Sequence, residues 1–147
     1  MNTINELFDN QILGVTLVSW AVAQILKFII NLIQNKDIDF NRLVGSGGMP
    51  SSHSSLVMGL STAVGIKLGF NSLEYAMALS FAVIVMYDAS GVRRAVGVQA
   101  NLLNEIINDL KLFQHIEQRK LKELIGHTPF QVISGALLGI MIAKMMM

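Results

Sequence analysis

Four apolar stretches near membrane-crossing length constrain this chain more than any other feature. They cover about residues 10–33, 51–70, 73–87 and 129–147. A helix that crosses a hydrocarbon core of ~30 Å needs roughly 20 residues. The first, second and fourth stretches reach that length, whereas the third is short and would thin the bilayer or borrow its flanks. No stretch is wholly without polar residues, and Gln24 and Lys27 interrupt the first. The rival fold is a very apolar soluble helical bundle. Composition favours the membrane, because 52% of the 147 residues are hydrophobic and only 14% charged, against about a quarter charged in soluble domains. The expectation is one all-α domain: an integral membrane bundle of about four transmembrane helices with an amphipathic connecting helix.

The remaining composition mainly excludes. A net charge of +1 names no nucleic-acid partner. With no cysteine in the chain, disulfides, thiolate catalysis and cysteine metal sites are ruled out. The opening MNTINELFDN carries Glu6, Asp9 and no basic residue, so it does not read as a cleaved signal peptide.

If the spans cross in turn, residues 34–50 and 88–128 share one face. GGMPSSH then opens the second span, DASGVRR closes the third, and GHTPFQ opens the fourth, all on that face. Lys36, Arg42, Arg93, Arg94, Lys111, Arg119, Lys120 and Lys122 fall there too, against only Lys67 and Lys144 opposite. The positive-inside rule makes the motif face cytoplasmic, although an anion site would gather the same cations in either orientation. In the connection, Val98, Leu102, Leu103, Ile106, Ile107, Leu110 and Phe113 recur at helical spacing. They predict an amphipathic helix that lies in the interface, roofs the site or packs on the bundle.

The chemistry concentrates at two helix starts. Both prolines stand within three residues of a histidine, Pro50 in PSSH and Pro129 in HTP. Proline suits a first helical turn. Ser51 or Ser52, and Thr128, are natural N-caps, and Gly48 and Gly126 allow close approach of backbone to a ligand. Unsatisfied N–H groups and the helix dipole make such ends anion sites. One such motif reads as an ordinary cap; two matched His-Pro starts on one face read as a phosphate cradle. An arginine at mid-bilayer costs about 2.5–3.5 kcal/mol, so Arg93 and Arg94 belong at the face, where their planar forks match phosphate oxygens. Asp88 precedes them closely enough for a shared network. His115 has no such surroundings. His53, His127 and Asp88 match no usual zinc spacing, and no G-x-S-x-G elbow is present.

PSSHS, YDASGVRRAVGVQA and KELIGHTPFQV resemble the divergent branch of the type-2 phosphatidate phosphatase superfamily, related to acid phosphatases and vanadium-dependent haloperoxidases. The resemblance covers about residues 24–143. It implies that His53 is the general acid on the leaving oxygen and that His127 is the nucleophile forming a phosphohistidine. It implies neither metal nor other cofactor. The superfamily's K-x6-RP motif is absent: five residues separate Lys36 from Arg42, and Leu43 replaces the proline. Leu121 stands where an arginine is expected, and Gln131 where an aspartate would orient the His127 ring. Arg93, Arg94 and Arg42, with Ser51, Ser52 and Gly48, are the expected phosphate binders; Asp88 replaces the missing carboxylate and Gln131 orients the ring. The expected activity is hydrolysis of a lipid-linked phosphate or pyrophosphate. The alternative is a lipid-phosphate binder, transporter or assembly factor that keeps the cradle without chemistry. The expected partners are the lipid bilayer and the lipid-phosphate substrate; the polar faces of four spans are also compatible with a homo-oligomer.

Overall fold

Backbone N–H and C=O groups surrounded by hydrocarbon have to pair within their own segment, so apolar runs of this length become helices. The computed structural model describes residues 3–35, 48–109 and 126–147. Its elements are α1 (Thr3–Phe8), α2 (Gln11–Asn35), α3 (Ser52–Leu68), α4 (Leu73–Ser90), α5 (Val92–Asp109) and α6 (Pro129–Met146). The all-α membrane bundle expected from the sequence is what the chain forms. Gln11–Ile33, Leu73–Ile106 and Pro129–Met146 are each long and apolar enough to cross a membrane.

Two sequence expectations need correction. The shortest of the four bundle helices is α3, with 17 residues, and not the third apolar stretch, whose helix continues to Ser90. α3 tolerates its length because it is central, packed against α2, α4 and α6. The amphipathic helix starts at Val92 rather than Val98. Helical hydrogen bonding crosses the joint: Gly91 N–H donates to Tyr87 C=O at 2.8 Å, and Ala95 N–H donates to Gly91 C=O at 3.0 Å. Leu110 and Phe113, expected to extend it, lie outside the described residues.

Burial is inverted relative to a soluble protein. The interior holds small side chains, including Ala23, Ala63, Ser19, Ser55 and Ala143, while Leu17, Ile25, Phe81, Ile84, Ile133 and Leu137 are exposed. Lipid tails are as apolar as leucine, so large side chains gain nothing from turning inward, and helices associate through small residues that let backbones approach. α3 and α6 run parallel and show this most closely. A Cβ on Gly135 would collide with the Ser51 carbonyl oxygen, and one on Gly139 with that of Ser55. Ser51-x3-Ser55-x3-Gly59 thus meets Gly135-x3-Gly139. On the other side of α3, Ser55 Oγ donates to Ser19 C=O at 2.9 Å. α2 runs antiparallel to α3, with Lys67 Nζ donating to Gln11 Oε1 at 3.2 Å at one end and Lys27 beside Ser52 at the other.

Caps set the helix starts. Ser51 caps α3, and Thr128 caps α6 with Pro129 in its first turn. Pro50 precedes the cap and lies outside the first turn expected for it. Parallel packing brings both starts to one end of the bundle, while Lys67 and Lys144 mark the last turns at the other.

Candidate functional site

Gln131 organises the mouth of α6. Its Oε1 accepts the Thr128 backbone N–H at 3.0 Å, and its own N–H donates to Thr128 Oγ1 at 3.4 Å, completing a capping box. The same Oε1 lies 3.2 Å from His127 Nδ1. The Thr128 N–H identifies that atom as the amide oxygen. An amide oxygen only accepts, so Nδ1 is the ring nitrogen that carries a hydrogen toward it. The backbone of Gln131 reaches the other helix start, its C=O accepting Ser51 N–H at 3.1 Å. His127 N–H donates to Ala89 C=O at 3.0 Å and ties the turn to the end of α4. The ring is buried, with His127 only 4% exposed.

His127 lines an open cavity of about 350 Å³ with Gly126, Thr128 and, from α5, Arg94, Gly97, Val98 and Asn101. Gly126 allows the closure, because a Cβ there would strike the Arg94 backbone. The exposed Arg94 and the α6 N-terminus both favour an anion in this space.

A second polar cluster lies under the mouth of α3. Lys27, 3% exposed, donates from Nζ to Gln24 Oε1 at 2.8 Å and to Ser52 Oγ at 3.4 Å. Gly48, at φ +84°, covers it: a Cβ at that residue would stand 3.2 Å from Lys27 Cγ. Ser51, Ser52 and Ser54 are buried at the start of α3, and Ser54 Oγ donates to Ser51 Oγ at 3.0 Å. Sequence reasoning left Lys27 without a role. Its signal was a cation and an amide three residues apart on one face of an apolar helix, and an ionisable residue within a span is costly unless it is used.

The structure therefore joins His127, Gln131 and Ser51 by hydrogen bonds, sets Arg94 beside His127, and sets Ser52 and Gly48 beside Lys27. His53 is the second residue of α3, at the same end of the bundle but exposed, and it does not line the His127 cavity. Asp88 is half-buried one residue before Ala89, also outside that cavity wall. Arg42 and the Arg93 side chain lie outside the described residues, as do Lys36 and His115. Among the described residues no three His, Asp or Glu side chains gather to hold a metal ion.

Small-residue packing inside, large apolar residues outside and polar helix mouths at one end define an all-α membrane protein. The chain belongs to the divergent PAP2 family, whose pattern matches residues 8–142. It is similar to the uncharacterized membrane protein YuiD of Bacillus subtilis (strain 168), at 39% identity over 148 residues, covering 93% of this chain and 94% of that relative. No solved structure matches the chain.

Proposed function

We propose that the protein is a multi-pass membrane phosphatase that releases phosphate from a lipid-linked phosphate or pyrophosphate at its helix mouths. The observation that carries this reading is the His127 ring, buried in the cavity wall beside Arg94 with Gln131 Oε1 on Nδ1. That contact directs the Nε2 lone pair to the role of nucleophile. Nε2 attacks phosphorus, and the bond from phosphorus to the leaving oxygen breaks. That oxygen, on the side of phosphorus away from Nε2, takes a proton from His53, which stands at the same end of the bundle outside the cavity wall. Water then attacks the phosphohistidine and yields a proton to the His53 left neutral by the first step; the phosphorus–nitrogen bond breaks, giving inorganic phosphate and restoring the ring. Phosphoryl transfer depends mostly on positioned positive charge and an in-line nucleophile. Arg94 supplies charge from the cavity wall and Lys27 from beneath Ser52, the α3 and α6 mouths supply N–H groups, and Arg93 and Arg42 are the further cations that this reading assigns to the phosphate. Asp88 acts on the same network from the end of α4. A substrate with an anionic head and a tail in lipid suits a site at the edge of a bilayer. The motif face is cytoplasmic in this reading, on the strength of its excess of lysine and arginine.

The test is phosphate release from a panel of lipid phosphates by purified protein, with vanadate as a mimic of the pentacoordinate state. Wild type turns over at least one lipid phosphate and is inhibited by vanadate. His127→Ala loses about 10³-fold or more, and His53→Ala loses about 10²–10⁴-fold, as expected for removal of a general acid. Saturable binding of lipid phosphates with no release by wild type would overturn the enzymatic reading in favour of a lipid-phosphate binder or transporter.

A further inference from the structure

α4 and α6 run antiparallel along a groove of about 400 Å³ that the phosphatase reading does not use. Its walls are Val83, Met86 and Tyr87 from α4 and Ile133, Ala136 and Leu137 from α6. Val83, Ile133 and Leu137 are more than half exposed, so the groove opens sideways to the hydrocarbon that covers the bundle. The Ser90 hydroxyl, at one end, donates back to Met86 C=O at 3.1 Å, which leaves the surface apolar.

The direction of the groove is the informative feature. Along α4 it runs from Val83 to Ser90, and along α6 from Leu137 to Pro129, both toward the helix mouths. Pro129 is two residues from His127, and Ser90 is four from Arg94. The His127 N–H to Ala89 C=O hydrogen bond forms the seam between groove and polar cavity. At 1.5 Å per helical residue the groove is roughly 10–12 Å long, the reach of one extended chain of roughly eight to ten carbons.

We propose that this groove holds one hydrocarbon chain of the lipid whose phosphate enters the His127 cavity. The proposal rests on that cavity being a phosphate site. It assigns the substrate class as a phosphate at the end of a linear alkyl or prenyl chain seated between α4 and α6. A tail arriving from the bilayer leaves an environment as apolar as the groove, so little affinity comes from the transfer. The groove acts by position: a seated tail fixes the phosphate against Nε2, and misplacement by about 1 Å can cost about 10²-fold.

The probe is dodecyl phosphate carrying a diazirine on its chain, photolysed with the protein in phosphatidylcholine nanodiscs. Crosslinks are expected to concentrate on Val83, Met86, Ile133 and Leu137 and to be competed by plain dodecyl phosphate. Dodecanol with the same diazirine should label the lipid-facing surface without that focus. Ala136→Phe and, independently, Val83→Trp should each reduce the focused crosslinking about tenfold or more. Each should also lower kcat/KM for dodecyl phosphate about tenfold or more, while leaving that for p-nitrophenyl phosphate within about twofold. Even labelling that includes Met77, Phe81 and Met141, or crosslinking unchanged by both substitutions, overturns the groove. The wild-type crosslink map needs no variant to fold. Focused crosslinks without turnover of any substrate would sink the phosphatase reading and leave the groove standing.

Discussion

Gln131 Oε1 meets two N–H groups, one closing a helix cap and the other setting the tautomer of His127. The two roles separate by substitution. Gln131→Glu retains an acceptor for both groups and adds a charge that favours the imidazolium, so phosphate release should stay level or rise a few-fold. Gln131→Leu removes both acceptors. Release should fall about 10–100-fold, the usual penalty for losing a partner that orients a histidine, and stability should fall by about 1 kcal/mol with the cap. Equal losses in the two variants would remove the ring-orienting role. Lys27 gives a second residue-scale expectation. Lys27→Met should weaken vanadate inhibition about tenfold or more while Lys27→Arg largely preserves it; unchanged inhibition in Lys27→Met would take the residue out of the site. The place of Gln131 four residues after His127 was legible in the sequence because the resemblance puts a ring-orienting residue at that spacing, and the spacing spans only the cap and first turn of α6. The partner of Lys27 was not, because Ser52 lies 25 residues away and only the antiparallel packing of α2 on α3 brings them together.

At the scale of elements, the parallel contact of α3 with α6 sets where both mouths stand. Gly139 packs where a Cβ would meet the Ser55 carbonyl and, at 2.8 Å, the Gly59 nitrogen, both backbone atoms that cannot swing aside. Gly139→Val should therefore cost about 1–3 kcal/mol or more, read as a lower unfolding temperature in detergent, with phosphate release lost in parallel. Gly14 in α2 is the contrast, since nothing lies within 4 Å of a Cβ built there. Gly14→Ala should stabilise by about 0.5–1 kcal/mol through reduced backbone entropy. Equal destabilisation by both would contradict the packing described. Apolar periodicity located all four bundle helices to within a few residues, because hydrocarbon-compatible runs have one backbone solution. It placed the start of α5 late, because the apolar repeat it followed begins at Val98, whereas Gly91 N–H and C=O are already in helical hydrogen bonds.

For the whole molecule, the proposed multi-pass topology, with its motif face cytoplasmic, would put Asn101 on that face and Asn71, in the turn between α3 and α4, on the opposite one. With no native cysteine, Asn101→Cys and Asn71→Cys report sidedness directly. An impermeant maleimide should label Asn71→Cys in intact cells and Asn101→Cys only in inverted vesicles; labelling of both from one side would refute the alternating topology. By itself the sequence determined the class, because a chain this poor in charge with runs this long has one stable arrangement in lipid. It also marked the reactive residue types, since histidines beside prolines at helix starts stand out in any register. Only the tertiary structure decided which of them meet. Close approach of α3 and α6 depends on glycines and serines whose periodicity gives no hydropathy signal, and that approach links Ser51 to Gln131, which holds His127. His53 stays exposed outside the cavity wall, and the packing of α2 on α3 brings Lys27 beneath the neighbouring α3 mouth.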